Sequence, residues 1–275
     1  MSTIELRAAS KDYGGRRVID GLSLRIESGE RVVLFGPSGA GKSTVLHLIA
    51  GLVVPDEGEI LIADERVAIA GRNLQEPRQR GIGMVFQDLA LWPHMTVAEN
   101  IEFGLRARKL QAAERRRRIN EVIELVGLGD YLESKPGELS GGEQQRVALA
   151  RALALAPRIV LMDEPLSSLD EELNFQLRTE ILRLHKSRGF TLVYVTHRPD
   201  EANDLGTRTV YLKRGPVLDR KVPMKSCRLA GMGRWALLPS ITTAIAIFQL
   251  IAAMITTLAA CGAASVALYL AGGMP

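Results

Sequence analysis

An α/β domain built around a largely parallel sheet is the fold class that this 275-residue sequence predicts. Four short apolar runs, bounded by Gly, Asp or Pro, recur along the chain: RVVLF (31–35), IGMVF (82–86), RIVLMD (158–163) and TLVYVT (191–196). Longer segments of helical period separate these runs, and a glycine-rich loop directly follows the first. Because the apolarity is continuous rather than alternating, the runs suit strands that are covered on both faces.

The glycine-rich loop is GPSGAGKST, residues 36–44, which is followed by the helical stretch VLHLIAGL. This is the P-loop pattern in the strand, loop and helix context that it requires. Glycines let backbone N–H groups surround phosphate oxygens, and the helix N-terminus adds a positive dipole end. Lys42 is expected to reach the β and γ phosphates, and Ser43 to ligate Mg²⁺. The predicted phosphate-binding residues are Gly36, Pro37, Ser38, Gly39, Ala40, Gly41, Lys42, Ser43 and Thr44.

Two adjacent acids end the third apolar run, in RIVLMDEP. Asp163, at the end of a buried strand, can hold the Mg²⁺ shell, and Glu164 points at a different angle, where it can polarise an attacking water. Solvated acids at a strand end are the plainer interpretation, but two acids near a core are costly to place. Together with the P-loop, the pair predicts a catalytic site.

The segment from about Asp88 to Gly137 has no convincing buried strand and is predicted to be an all-helical insert. Four of its apolar residues recur at i, i+3, i+4 and i+7: Ile119, Val122, Ile123 and Val126. Four consecutive arginines, 115–118, lie on the same predicted helix. They suit either a grip on phosphate backbones or a solvated helix face, and the lack of interleaved aromatic residues favours the solvated face.

Charge divides the chain near residue 221. The formal net charge of +4 comes from four basic residues, because residues 1–220 carry 31 basic and 31 acidic side chains. The four are Lys221, Lys225, Arg228 and Arg234. A neutral domain argues against nucleic acid as a partner. No N-terminal signal peptide is visible, since Met1–Ser10 is polar and mixed.

The last 41 residues, 235–275, carry no charge and are mostly Ala, Leu, Ile, Thr and Val. A spanning helix needs about 20 apolar residues, so this segment is expected to cross a bilayer at least once, with the basic linker 222–234 on the cytoplasmic side. A buried helical hairpin or a partner-binding helix pair is the alternative. Pro239 and Gly262 leave open a kink, two short passes or a re-entrant turn. Cys227 and Cys261 have no metal-ligand spacing and indicate no disulfide framework.

The ordered motifs resemble those of the ATP-binding cassette (ABC) ATPases, from about Ile4 to Lys221. They are GPSGAGKST, Gln87 after an apolar strand, LSGGEQQR (139–146), IVLMDEP, SSLD and His197. LSGGEQQR makes the resemblance specific, because other P-loop families lack it. The resemblance implies a P-loop core with an antiparallel β subdomain and an all-helical subdomain at 88–137, or to about 150 with the signature helix, within a domain spanning 1–221. Glu143 stands where glutamine is commoner, a departure that is expected not to touch the phosphate-binding residues.

The resemblance also implies ATP and Mg²⁺ as ligands, and a second cassette as a partner, in a homodimer or a heterodimer. Two cassettes would pack head to tail, so that Ser140, Gly141 and Gly142 cap the γ phosphate held by the partner. This would be a second anion site at a helix N-terminus.

Four more roles follow from matching motifs. Tyr13 resembles the aromatic residue on which adenine stacks, and Gln87 would contact Mg²⁺ or the lytic water. Asp170 would tie the two active sites together, and His197 would hydrogen-bond the γ phosphate. The catalytic residues implied are therefore Glu164, His197, Gln87 and Lys42.

The stretch LWPHMTVAENIEFGL, 91–105, resembles the part of importer-type cassettes that lies near the groove for a permease's coupling helix. It also reads as a helix start with Thr96 as N-cap and Glu99 completing a capping box, and the two interpretations are compatible.

The expectation is an ATP-hydrolysing importer subunit on the cytoplasmic face of the membrane, with a membrane permease and an extracytoplasmic substrate-binding protein as partners. The hydrophobic tail would be an anchor, a docking element or a remnant without a role. A membrane-associated ATPase that acts as a regulatory or mechanical switch is the alternative function.

Overall fold

The computed structural model describes residues 2–167, 169–213 and 218–220, with the backbone alone at residues 2, 3 and 218–220. All described elements belong to the unit Met1–Pro223. The predicted linker 222–234 and hydrophobic segment 235–275, with both cysteines, lie outside the described residues. Within the part of the chain that is described, no helix is both long and apolar enough to cross a membrane.

The described residues form both strands and α-helices. The strands are β1 Ser2–Tyr13, β2 Arg16–Glu27, β3 Arg31–Phe35, β4 Glu57–Ile62, β5 Glu65–Ile69, β6 Arg72–Asn73, β7 Ile82–Val85, β8 Ile159–Asp163, β9 Thr191–Thr196, β10 Arg208–Tyr211 and β11 Leu218–Arg220. The helices are α1 Lys42–Ala50, α2 Val97–Ala107, α3 Ala112–Val126, α4 Gly141–Ala154, α5 Glu171–Arg188 and α6 Pro199–Leu205.

An antiparallel sheet has the strand order β2-β1-β4-β5-β6. In β2, the buried residues Leu22, Leu24 and Ile26 alternate with exposed ones, so one face of this strand packs on the core and the other meets solvent. The pairing of β1 with β2 shifts register between Leu6 and Ala9. An antiparallel sheet is therefore present, as the resemblance implied.

A second sheet has the order β11-β10-β3-β9-β8-β7 and is parallel apart from the β10–β11 pair. Alternate residues of β8 enter two different cores. Ile159 and Leu161 pack in the cluster that contains α1 and the antiparallel sheet, whereas Val160 and Met162 pack with the helices α3 and α4. Coverage on both faces explains why this strand is apolar throughout.

The predicted strands coincide with β3, β7, β8 and β9, but the covering is incomplete at the sheet edge. In β7, Ile82 and Met84 are only half-buried. The reason is topological, because β7 has a neighbouring strand on one side only.

The helical segment lies between β7 and β8. The stretch 88–137, which is described in full, holds α2, α3 and two short 3₁₀ turns, Gly129–Tyr131 and Pro136–Glu138, and no strand. The apolar face of α3 is buried as its period predicted: Ile119, Val122, Ile123 and Val126. Thr96 and Glu99 form the predicted capping box at the start of α2.

The parallel strands end at one level. Phe35 pairs with Thr196, Asp163 with Val195, and Val85 with Met162. The loops that follow β3, β7, β8 and β9 therefore emerge along the same carboxyl edge, which is where open α/β sheets carry their sites.

Candidate active site

The P-loop joins β3 to α1 through close backbone contacts. A Cβ on Gly36 would lie 2.2 Å from the carbonyl oxygen of Leu212, and one on Gly41, at φ +89°, would lie 2.5 Å from Ile19 Cδ1. Contact with backbone therefore requires glycine at position 36, and the left-handed conformation favours it at position 41. Residues 37–39 form the exposed tip of the loop, and Ala40 is buried behind them.

Lys42 folds back over the loop. Its side chain is buried, and Nζ donates to the carbonyl oxygens of Gly36 at 2.9 Å and Pro37 at 3.1 Å. Among the residues that the structure describes, no side chain caps the N-terminus of α1, and the first turn of this helix contains no acid. A cation and a helix N-terminus without a side-chain cap thus converge on one loop, which suits an anion.

Ser43 and Asp163 are brought together although 120 residues separate them. Ser43 Oγ donates to Asp163 Oδ1 at 3.1 Å. Burial raises the pKa of the Asp163 carboxyl, and the Ser43 hydrogen bond and nearby Lys42 oppose that rise. A hydroxyl and a carboxylate in contact supply the hard oxygen ligands that Mg²⁺ prefers. Thr44 follows in the first turn of α1 and is half-buried.

Glu164 and His197 also meet. The ring nitrogen Nδ1 of His197 donates to Glu164 Oε2 at 3.1 Å. Glu164 has φ +45°, a conformation that costs a non-glycine residue about 1–3 kcal/mol, and its N–H donates to the Val195 carbonyl at 3.1 Å. The two adjacent carboxylates thus have different partners, Ser43 for Asp163 and His197 for Glu164.

Gln87 lies in a turn beyond β7 and is exposed. The Leu89 N–H closes that turn by donating to the Phe86 carbonyl at 3.1 Å. Arg151 of α4 holds the following segment, with bonds of 2.7 Å to the Leu89 carbonyl and 2.5 Å to the Ala90 carbonyl. Among the described residues, no hydrogen bond joins the Gln87 side chain to Ser43 or Asp163.

A cavity of about 210 Å³ adjoins the P-loop, between it and β2. Val18, Ile19 and Ala40 contribute its apolar lining. Tyr13 is not among the lining residues; its ring is 45% exposed, with Lys11 Nζ at 5.6 Å from the ring centroid. Sequence reasoning missed Val18 and Ile19, because ordinary strand residues carry no motif and only the register of β2 directs them here.

The signature residues Ser140 and Gly141 are exposed at the start of α4. The expectation that Glu143 would not contact the predicted phosphate-binding residues is wrong, because it is hydrogen-bonded to Ser140. Ser140 is the N-cap of α4, and both its N–H and its Oγ donate to Glu143 Oε2 at 2.7 Å. These bonds lower the pKa of Glu143. The capping box explains the contact, since the residue at the third helical position reaches back to the N-cap.

The signature helix packs on the loop that carries Asp170. A Cβ on Gly142 would lie 2.8 Å from Leu173 Cδ2 and 3.1 Å from Leu169 Cδ2. The Asp170 carboxylate caps α5 by accepting from the Leu173 N–H at 2.9 Å. The predicted site residues therefore lie in two groups, one around the P-loop and one around Ser140, Gly142 and Asp170. Among the described residues, no hydrogen bond joins the second group to residues 36–44.

The arginines at 115–118 are largely matched by carboxylates. Arg115 pairs with Glu102 at 2.7 Å, and Arg118 with Glu114 at 2.7 Å. Arg117 pairs with both Glu114 and Glu121. Local ion pairs of this kind favour the solvated helix face over a phosphate grip.

Comparison with known proteins gives the site its context. The sequence profile of the family described as ABC transporter matches residues 19–167. An sn-glycerol-3-phosphate import ATP-binding protein of Agrobacterium fabrum is 48% identical over 219 residues, covering 79% of this chain and 57% of that protein. The maltose/maltodextrin import ATP-binding protein of Salmonella typhimurium is 44% identical over 225 residues, covering 82% of this chain and 60% of that protein.

The chain thus spans about three fifths of the length of the curated relatives it matches. Among solved structures, an ATP-binding cassette in a dimeric post-hydrolysis state bound to ADP and Pi is 36% identical, with a TM-score of 0.72, and covers 79% of this chain and 98% of its own. A dimeric bacterial ABC transporter cassette is 37% identical, with a TM-score of 0.73. The profile covers more than half of the chain, and the motifs lie where the fold requires them, so this chain belongs to the ABC transporter family.

Proposed function

We propose that this chain binds and hydrolyses ATP as a subunit of an ABC importer. The observation that carries the proposal is the arrangement at the ends of β3, β8 and β9, where Lys42 and the Ser43–Asp163 pair lie beside the Glu164–His197 contact. A phosphate cradle, an oxygen pair suited to a divalent cation and a candidate base are the three parts that phosphoryl transfer to water needs.

The residues fit ATP and Mg²⁺. Within the described part of the chain, the hydrogen bonds of Lys42 Nζ go to backbone carbonyls, which it can exchange for the β and γ phosphate oxygens. Ser43 and Asp163 would hold Mg²⁺, which when bound neutralises charge on the phosphate oxygens. Val18 and Ile19 offer an apolar wall beside the loop, to which Tyr13 would add a stacking face for adenine.

Glu164 would act on the attacking water. Its carboxylate takes a proton as the water oxygen bonds to the γ phosphorus, and the bond from that phosphorus to the ADP oxygen breaks. When ATP is bound, His197 would exchange its hydrogen bond to Glu164 for one to a γ phosphate oxygen, which leaves the Glu164 carboxylate to the water. Gln87 would orient the water or complete the Mg²⁺ shell.

A second cassette would complete each site. Ser140 and Gly141 are exposed at a helix N-terminus, and they make no hydrogen bond to the P-loop of their own chain among the described residues. They would cap the γ phosphate held by the partner, and Asp170, packed on the same helix start, would couple the two sites. Dimeric solved cassettes at 36% and 37% identity support this arrangement.

Coupling to transport would run through a membrane permease on the cytoplasmic side. The rings of Trp92 and Phe103 are in contact, with centroids 4.4 Å apart and planes inclined at 44°. Phe103 is 46% exposed, so the stretch 91–105 offers an aromatic surface for a permease segment. Relatives named as import proteins for glycerol phosphate and maltodextrins favour a small organic solute as cargo, delivered by an extracytoplasmic binding protein. They also disfavour a switch without transport.

The test measures ATP binding and hydrolysis by the full chain in detergent. Lys42→Ala should abolish turnover, and Glu164→Gln should bind ATP while turnover falls at least about 100-fold. The matched control is Glu124→Gln, which changes an exposed carboxylate on α3. A Glu164→Gln protein with near wild-type turnover would remove Glu164 from its role. Cargo-stimulated hydrolysis in a reconstituted complex would support transport, and hydrolysis that ignores cargo would support the switch.

A further inference from the structure

Glu201 is a buried carboxylate that the proposed chemistry does not use. It belongs to α6, four residues after His197, and is 1% exposed. Tyr194 Oη donates to its Oε2 at 2.9 Å, and Asn174 Nδ2 donates to its Oε1 at 2.9 Å. Tyr194 and Asn174 are themselves fully buried, so both carboxylate oxygens have partners inside the protein.

Asn174 makes a second bond that leads to the catalytic loop. Its Nδ2 also donates to the Leu166 carbonyl at 3.1 Å. Leu166 belongs to the stretch 164–170, where the Ser167 N–H donates to the Glu164 carbonyl at 3.3 Å and the Leu169 N–H to the Leu166 carbonyl at 3.3 Å. One amide group thus joins the loop that carries Glu164 and Asp170 to the helix that follows His197.

This polar network stabilises the core less than apolar side chains of the same volume would. Asn174 Oδ1 is buried without a hydrogen-bond partner among the described residues, and an unsatisfied polar atom costs about 1–3 kcal/mol. Apolar residues of similar volume often replace buried charges at no loss of stability. The amide orientation is nevertheless unambiguous, because two acceptors face Nδ2. The hydrogen bonds of Asn174 therefore serve to fix the position of the Leu166 carbonyl relative to α6 rather than to add stability.

We infer that Asn174 and Glu201 form a clamp that positions Glu164 against His197 by tying the Leu166 carbonyl to α6. The inference rests on the proposed ATP hydrolysis for its effect on turnover, and on the contacts alone for its effect on the loop. Both are positioning residues, since neither reaches the exposed His197 ring or the Glu164 carboxylate.

The decisive comparison uses a single and a double variant. Asn174→Asp places a carboxylate opposite the Leu166 carbonyl and Glu201, so both turnover and Tm should fall. Adding Glu201→Gln removes the facing charges and supplies an amide donor to the introduced carboxylate, so Tm should recover. The Leu166 carbonyl keeps its bond from the Leu169 N–H but still lacks the donor from position 174, so its tie to α6 stays broken. The value of kcat should therefore stay about 10- to 100-fold low with the KM for ATP within about twofold. Recovery of kcat together with Tm would overturn the inference.

Asn100→Ala is the matched control for Asn174→Ala. Asn100 is equally buried, and its Nδ2 donates to the carbonyls of Trp92, Met95 and Thr96, outside both catalytic loops. We expect both variants to lose stability, and only Asn174→Ala to lower kcat.

Hydrogen exchange separates this inference from the proposed function. In Asn174→Ala, the Ser167 and Leu169 amides should exchange faster, whereas in Asn100→Ala they should not. If the wild-type chain does not hydrolyse ATP, the proposed function is wrong, but the exchange rates still test whether the clamp exists. Unchanged exchange at 164–170 in Asn174→Ala would overturn the clamp whatever the activity.

Discussion

The His185 imidazole is held by contacts that only its neutral form can make. Nε2 donates to the Gly29 carbonyl at 2.9 Å, and Nδ1 accepts from Arg31 Nη1 at 3.4 Å. Burial lowers the pKa of His185 below its ordinary 6.5, and the charge of Arg31 lowers it further. Protonation would turn the accepting nitrogen into a donor that faces a guanidinium, so the ring stays neutral in the folded chain at pH 7.

This residue predicts acid sensitivity within a defined window. In the unfolded chain the His185 ring binds a proton as pH falls through about 6.5, whereas in the folded chain it does so only at the lower pKa of the buried ring. The contribution of His185 to the free energy of unfolding is therefore constant above about pH 6.5 and decreases as pH falls below it. His185→Gln keeps one donor and one acceptor without a titrating ring, and should flatten this part of the profile. Urea unfolding at several pH values measures it. The control is His94→Gln, because His94 is exposed. If the free energy of unfolding of His185→Gln falls with pH as steeply as that of the wild type, the prediction is wrong.

At the scale of elements, four of the parallel strands were predicted, whereas the parallel strand β10 and the antiparallel strands were not. The runs at 31–35 and 191–196 match β3 and β9 to the residue, because burial on both faces leaves an uninterrupted apolar pattern. In β1, a register shift and the positive φ of Ala8 interrupt the alternation that would mark a half-buried strand. Only the family resemblance anticipated that sheet.

Arg151 couples two elements and predicts a measurable loss. It joins α4 to the segment after Gln87, where Leu89 and Ala90 have φ of +59° and +45°. Lysine cannot bond two carbonyls in the planar fork that arginine offers, so Arg151→Lys should lose about 1–2 kcal/mol of unfolding free energy and loosen the turn of Gln87.

Thermal unfolding and hydrogen exchange at residues 86–90 measure that loss. Arg116→Lys is the control, because Arg116 is exposed on α3. If Arg151→Lys has the same Tm and exchange as the Arg116 variant, Arg151 does not hold the loop.

For the whole molecule, the sequence predicted which residues to consider for the site, but not which of them the fold brings into contact. Motif order predicted Lys42, Asp163 and Glu164, because each lies at or beyond the end of an apolar strand whose carboxyl end is at one edge of the sheet. The contact of Glu164 with His197 depends on the register of β8 and β9, which no local pattern specifies. The second group, Ser140 with Asp170, is the one that the proposed function assigns to a site shared by two chains.

A shared site predicts ATP-driven dimerisation. In Glu164→Gln, ATP should bind without being hydrolysed, so the closed dimer should accumulate. Light scattering after size-exclusion chromatography should show the protein mass doubling with ATP and not with ADP. A Glu164→Gln protein that binds ATP and stays monomeric would contradict the head-to-tail arrangement.

Glu143 should set how much ATP that dimer needs. Its carboxylate accepts both the N–H and the hydroxyl of Ser140, so it places negative charge beside the proposed γ phosphate site and occupies the hydroxyl. In the Glu164→Gln background, Glu143→Gln keeps an acceptor for the cap and removes the charge, so half-maximal dimerisation should need about 3- to 10-fold less ATP. Glu138→Gln is the matched control, since Glu138 caps the Lys135 N–H at 2.8 Å by the same geometry one turn earlier. An unchanged or higher ATP requirement in Glu143→Gln would mean that Ser140 does not meet a phosphate.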